Sequence, residues 1–297
     1  MKGLKDIHNH LSGSTPMHVM YRIAKEHGIK LPKNISSYSD FLNVARPGRG
    51  QASLDNYLKV IHTYLDRIQS SVAAVEECVF RSFEVSYLDG VDHLELRMNP
   101  FKRNVVGGTM FDVDAIIQAA VRGMDRAKSI YGMSGGMIMC MGREMDDETN
   151  EKIFNKCELY HGKGVVGIDI AGPQKIPVTE RIRNLVATSG FMVKTCHLAE
   201  IKGGEDEAAS IAEFCGINRI GHGLNGNDRL YSIAKERDIV FEVCPTSNIS
   251  TGAFKSYDDI KVRLDMLDSM GIKYVICTDG GEMLRTTVAN ETALVGR

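Results

Sequence analysis

Two histidines, His8 and His10, stand two residues apart at the end of a short apolar run, Leu4–His10. On a strand, residues i and i+2 share a face, so both imidazoles point the same way. Converging imidazoles are the beginning of a metal site. Further candidates recur along the chain, each closing another strand-like run. They are Asp169 in Gly167-Ile-Asp169-Ile-Ala-Gly172, His197 and Glu200 in Thr195-Cys-His197-Leu-Ala-Glu200, His222 in Arg219-Ile-Gly-His222-Gly223, and Asp279 in Cys277-Thr-Asp279-Gly-Gly281. Three imidazoles and one carboxylate, His8, His10, His197 and Asp279, suit a borderline-soft divalent ion, zinc before others. An ion with an open position lowers the pKa of a bound water to about 7. Glu200 is then placed to carry protons and His222 to orient the water, a set that describes metal-assisted hydrolysis.

Such residues must be held by something regular. Eight strand-like runs rich in Val, Ile and Met alternate with helix-like runs: Leu4–His10, Val91–Met98, Met137–Met141, Val165–Ile170, Phe191–His197, Arg219–His222, Ile239–Cys244 and Tyr274–Thr278. Short continuous apolar runs are what buried parallel strands look like. Between them, Leu54, Tyr57, Leu58, Ile61, Leu65 and Ile68 recur at helical spacing behind a Ser53 cap, and Ile116 to Ala127 do the same. Thr286–Leu294 also reads as helical. Eight βα units predict an α/β fold, a (β/α)8 barrel in a single domain over residues 1–297, whose site lies at the C-terminal ends of the strands. The first connection, residues 11–90, is too long for one crossover. It predicts a helical insertion and a lid.

Composition narrows the class. Lys and Arg number 36 against 38 Asp and Glu, which argues against a nucleic-acid polymer as partner. No apolar run is long enough for a membrane span, and no secretion signal pattern opens the chain. The seven scattered cysteines lack metal-type spacing and read as buried free thiols, so a cytoplasmic location is expected.

The ordered pieces His8-Asn-His10, Asp169-Ile-Ala-Gly172, His197-Leu-Ala-Glu200, Gly221-His222-Gly223, Cys244-Pro-Thr-Ser-Asn248 and Thr278-Asp279 resemble the adenosine deaminase family of metal-dependent amidohydrolases. The resemblance spans nearly the whole chain. It implies Zn2+ held by His8, His10, His197 and Asp279, and a small-molecule purine as substrate. It implies that Glu200 protonates the ring nitrogen beside C6, that His222 holds the attacking water, and that Gly172 offers its N–H to the base. The implied reaction is hydrolytic deamination of an adenine-type nucleoside or nucleotide at C6. The alternatives are a purine modified at the 5′ position or at N6, and a purine-binding barrel without turnover.

Two substrate-contacting positions depart from the family pattern. Gly280 stands where an aspartate usually meets purine N7, so Glu282 or a water is expected to substitute, or base selectivity to relax. Ser12 stands where the nucleoside enzymes have an aspartate for the ribose 5′-hydroxyl. Arg46 and Arg49 in the insertion, with Lys102 and Arg103 after the second strand, are expected on the same face and suit a 5′-phosphate. Strand alternation places Asp6 with His8 and His10, and Glu95 with Arg97, in the interior, where Arg97 is expected to bridge carboxylates. Asp169 faces inward for hydrogen bonding or for catalysis. The remaining histidines, His18, His27, His62, His93 and His161, read as surface or packing residues.

Overall fold

The computed structural model describes residues 3–29, 31, 35–46, 53–103, 105–106, 109–110 and 112–297. Arg49 lies outside the described residues. Eight parallel strands follow one another in chain order: β1 (Leu4–His10), β2 (Val91–Met98), β3 (Ser134–Gly142), β4 (Val165–Ala171), β5 (Val193–Leu198), β6 (Arg219–His222), β7 (Val240–Val243) and β8 (Tyr274–Ile276). Helices connect them, giving the expected (β/α)8 barrel. One continuous apolar core runs from Leu11 to Val295. Each fully buried Leu or Ile in it contributes about 1.5–3 kcal/mol. The helix Val113–Tyr131 shows how such elements form. Asp112 caps its first turn, Ile116, Ile117, Ala120 and Ala127 bury one stripe, and Gly132 ends it at φ +69°. A small antiparallel ribbon, Val105–Val106 with Thr109–Met110, has no counterpart in the sequence expectation. The last helix is Val288–Leu294, slightly shorter than expected.

The ring closes at a narrow seam. β8 is three residues long and meets β1 through a single bridge, Asn9 to Asp279. There the His10 N–H donates to the Asp279 carbonyl at 2.8 Å, and the Asp279 N–H donates to the His8 carbonyl at 2.8 Å.

The long first connection is helical. It contains Met17–Glu26, Tyr38–Ala45, Leu54–Val60 and Val72–Leu88. The single helix expected from Leu54 to Ile68 is interrupted by a π-helical turn at Ile61–Leu65. An α-helix advances about 100° per residue, so twelve regular steps would leave Asp66 about a third of a turn from Leu54. The π turn absorbs one residue and returns Asp66 to the face that carries Leu54 and Leu58. All three line the same pocket.

Strand alternation fails at one expected place. β1 has a register irregularity between Asp6 and Asn9. It turns Asp6 away from His8 and His10, so its carboxylate accepts from Thr278 Oγ1 at 2.6 Å and from Asn9 Nδ2 at 3.1 Å. Asp6 lines a cleft beside Val85, Ser86 and Val288, outside the ring. Arg97, in contrast, points inward and is fully buried. Its guanidinium donates to Asp169 at 3.0 Å, to Glu242 at 2.9 Å and to the Ile7 carbonyl at 2.7 Å. The bridging role is as expected, but the partners are not Asp6 and Glu95. Glu95 pairs instead with Arg219. Removing the guanidinium leaves two buried carboxylates without their cation. Arg97→Ala is therefore expected to lose about 3–5 kcal/mol of stability in urea unfolding, whereas replacing an exposed arginine such as Arg229 changes it by less than about 0.5 kcal/mol.

Candidate functional site

Strand ends bring the metal-type residues to one point. His8 and His10 come from β1, His197 from β5, and Asp279 from the residues just after β8. One ligand atom from each lies within 4.8 Å of all the others. His10 Nε2 is 3.1 Å from His197 Nε2, and Asp279 Oδ1 lies 3.5 Å from His8 Nε2 and 3.4 Å from His10 Nε2. Gly221 makes room for this packing, since a Cβ there would come within 2.8 Å of His8 Cε1.

Three of these four side chains are aimed by a neighbour. Glu242 Oε2 accepts from His8 Nδ1 at 2.8 Å, and Asp169 Oδ1 accepts from His197 Nδ1 at 3.1 Å. Both histidines thereby turn Nε2 toward the centre. Asp279 Oδ2 accepts from Ser247 at 2.6 Å and from Tyr57 at 3.1 Å, which leaves Oδ1 facing the histidines. Burial alone would raise the acids, but the charges of Arg97 and His8 hold Glu242 down at about 2. Burial is likewise outweighed at Asp169, which His197 and Arg97 keep well below the usual carboxylate range.

The donor set fits a divalent ion. His8 Nε2 is buried and has no hydrogen-bond partner, and orphaned buried polar atoms are rare without a reason. Three imidazole nitrogens and one carboxylate oxygen are a ligand set that zinc accepts.

Glu200 and His222 lie beside this cluster. Burial first, and the charge of Asp279 second, push the Glu200 carboxyl up to about 8. Its backbone is fixed at both ends. The Glu200 N–H donates to Gln174 Oε1 at 2.8 Å, and its carbonyl accepts from Asn225 at 2.8 Å. His222 Nε2 is 3.8 Å from Glu200 Oε1, and its Nδ1 is 3.2 Å from the Asn248 side-chain amide. Burial, then the charge of His8, holds His222 well below its ordinary value, which favours the uncharged ring. Three non-glycine residues around the site adopt positive φ: Ala199 at 48°, His222 at 66° and Asp279 at 64°. Such backbone costs about 1–3 kcal/mol each and clusters at functional sites. Gly172 has φ +106°, and a Cβ there would come within 2.2 Å of Glu144 Oε2.

The pocket over the cluster is lined by His10, Tyr57, Gly172, Glu200, His222 and Asp279, among others, with Ser12, His62, Asp66, Lys102 and Arg103 as a second polar group. Ser12 donates to Asp66 Oδ1 at 2.5 Å, and Arg103 donates to Ser12 at 2.6 Å and lies 3.1 Å from Asp66. Asp66 thus supplies the carboxylate that position 12 lacks. His62 Nδ1 is 2.9 Å from Asp66, and Lys102 contacts both His62 and Glu144. His62 is therefore a pocket residue, not the surface or packing residue expected. Arg46 is not in this pocket. It lies 3.7 Å from Glu282, and both line the cleft that holds Asp6. Gly280 packs backbone to backbone with Gly13, so that a Cβ at 280 would lie 3.0 Å from Gly13 Cα. Glu242, Gln174 and Tyr57 were not read as site residues from the sequence, and Ser247 and Asn248 stood there only as part of the Cys244-Pro-Thr-Ser-Asn248 piece. Glu242 had a signal, an acid inside the apolar run Val240-Phe241-Glu242-Val243.

An eight-stranded α/β barrel with a three-histidine, one-aspartate cluster at the strand ends is the architecture of a metal-dependent hydrolase. The adenosine deaminase family profile matches residues 4–297. The chain is 30% identical over 295 residues to a curated adenosine deaminase of Vibrio atlanticus, a match covering 98% of this chain and 86% of that one. Its fold is shared with the N6-methyl-AMP deaminase of Arabidopsis thaliana, at 22% identity and a TM-score of 0.80 over 98% of this chain and 85% of that one. It is also shared with a zinc-bound amidohydrolase from Burkholderia ambifaria, at 20% identity and a TM-score of 0.84 over 99% and 80%. The chain belongs to the adenosine deaminase family. It is a hydrolytic deaminase. No helix among the described residues is long and apolar enough to cross a membrane.

The cluster gives a direct expectation. Protein purified without chelator should carry about one divalent ion per chain by elemental analysis, and His8→Ala should lose it. Full metal content in His8→Ala would show that the ion sits elsewhere.

Proposed function

We propose that this protein hydrolytically deaminates an adenine-type purine nucleoside or nucleotide at C6 with the help of Zn2+. The observation that carries the reading is the adjacency of two things: a buried four-ligand cluster, and a carboxyl, Glu200, that burial keeps protonated near neutral pH. His8, His10, His197 and Asp279 would hold the ion. When bound, it supplies Lewis acidity and lowers the pKa of a water.

The remaining work falls to the side chains. An aromatic C6 is a poor electrophile until the neighbouring ring nitrogen is protonated. Glu200 donates that proton. His222 hydrogen-bonds the attacking water through Nε2 and orients it. The Gly172 N–H holds the base. Water oxygen joins C6 and the bond from C6 to the amino nitrogen breaks; one water proton leaves on that nitrogen as ammonia, the other restores Glu200, and the proton Glu200 gave stays on the ring nitrogen. The seven buried free cysteines support a reducing cytoplasmic setting.

Release of ammonia from adenine nucleosides and nucleotides, and of the corresponding amine from N6-substituted purines, tests the reading. No release from any member would overturn it in favour of a binding barrel. Glu200→Gln is expected to keep its metal and lose about 10² to 10⁴-fold in rate, because an amide cannot deliver the proton. His222→Ala should also retain the metal and lose rate. Since Glu200 acts in its protonated form, kcat/KM should fall as pH rises through about 8. A rate unchanged to pH 10 would remove Glu200 from the proton transfer.

A second reading, a purine phosphorylated at the 5′ position, draws on Lys102, Arg103 and His62 at the same pocket. Against it stand Asp66 and Glu144, which offset the two cations. If the nucleotide is the substrate, adenosine 5′-monophosphate should exceed adenosine in kcat/KM by more than about tenfold, about 1.4 kcal/mol. Lys102→Met should then erase that preference. Equal or reversed preference makes the nucleoside the substrate.

A further inference from the structure

The base pocket has a polar group that the reaction above does not use. Tyr57 is buried in the wall, and its hydroxyl stands 3.1 Å from Asp279 Oδ2. That oxygen already accepts a shorter hydrogen bond from Ser247, at 2.6 Å. Asp279 therefore keeps a partner when the phenol O–H turns from it to another acceptor.

Purine chemistry says where such an acceptor would be. C6 is flanked on one side by N1 and on the other by C5, whose neighbour N7 lies on the same edge as the amino group. A base with C6 at the cluster and N1 at Glu200 presents N7, an acceptor, to the opposite flank. Few side-chain donors remain for it among the described residues. The histidines converge on one another and on Asp279. Arg97 is spent on Asp169 and Glu242. Ser12 and Arg103 are tied to Asp66 in the second polar group. The Asn99 amide donates to Met145 Sδ, Lys102 pairs with Glu144, and His62 is tied to Asp66. Glu282 is in another cleft. Tyr57 is left.

Gly280 supports the same assignment. A Cβ built at 280 would lie 3.4 Å from Tyr57 Oη and 3.0 Å from Gly13 Cα. The phenol hydroxyl fills the space that a side chain at 280 would enter, and the Gly13 backbone blocks the other way out. Tyr57 and Gly280 are thus complementary: one supplies the polar group where the other has none.

We propose that Tyr57 reads purine N7, its hydroxyl donating to that ring nitrogen in place of the side chain absent at position 280. The assignment rests on the purine deaminase reading and adds to it the residue that distinguishes atom 7 of the base. It makes Tyr57 a specificity residue.

The test compares inhibition constants of inosine and 7-deazainosine, which differ at atom 7 and undergo no chemistry. Wild type is expected to bind inosine about three- to tenfold more tightly, the worth of one hydrogen bond. Tyr57→Phe should bring the ratio to within about twofold of unity by weakening inosine alone. Ser247→Ala, which removes the other partner of Asp279, should leave the ratio at its wild-type value. A purely structural role through Asp279 would instead move both variants alike and leave atom 7 unread. A ratio near unity in wild type, or a wild-type ratio in Tyr57→Phe, overturns the assignment. Ammonia release by wild type separates the two levels. Release with an unread atom 7 overturns the Tyr57 assignment only, whereas no release overturns the deaminase reading and the assignment with it.

Discussion

A guanidinium without exposed surface sits in the middle of the barrel, and its need for counter-charge shapes what surrounds it. Removing an arginine from water costs several kcal/mol unless its donors are met by acceptors. Arg97 meets that need with two carboxylates and a carbonyl. The planar fork suits a bridge between two acids on different strands, which a lysine could not span in the same way. Each acid then has a further oxygen interaction, and each spends it on a histidine: Glu242 on His8, Asp169 on His197. One buried charge thus fixes the orientation of two imidazoles. The face that the histidines present to the pocket follows from a charge balance several ångströms beneath it.

The mouth of the pocket is balanced differently. Lys102 and Arg103 are matched there by Glu144 and Asp66. The Ser12 hydroxyl is a relay between Arg103 and Asp66 rather than a free polar group. The negative charge at this end of the pocket is carried by Asp66, on a helix whose π turn brings it into line with Ser12.

Much of this was legible in the residues. The strand ends can be read because buried parallel strands are short, apolar and closed by polar residues that the interior does not tolerate. His8, His10, His197 and Asp279 stand out for that reason, as does the inward charge of Arg97. What could not be read depends on departures from regular geometry. The irregularity in β1 reverses Asp6, which strict alternation had placed with the histidines. The π turn has no signature in an apolar pattern that fits an ordinary helix, so His62 and Asp66 were not seen as pocket residues. Tyr57 looked like one more member of an apolar stripe, since a tyrosine serves equally well in a core. Its hydroxyl gains meaning only against Gly13 and Gly280, more than 40 and 200 residues away in sequence. Arg46 was misplaced because a connection of this length leaves the direction of any one side chain undetermined.

The seam between the first and last strands has a thermodynamic side. Two backbone hydrogen bonds hold it, and the residues that make them, His8, His10 and Asp279, are those whose side chains converge just above. Anything that gripped those three side chains together would recognise the closed ring and not the parted one. By mass action it would stabilise closure by RT ln(1 + [L]/Kd), about 2.7 kcal/mol at a hundredfold excess over its dissociation constant. The hoop and its contents are then one cooperative unit: a clasp in which the weakest join of the barrel and the occupancy of its centre rise and fall together.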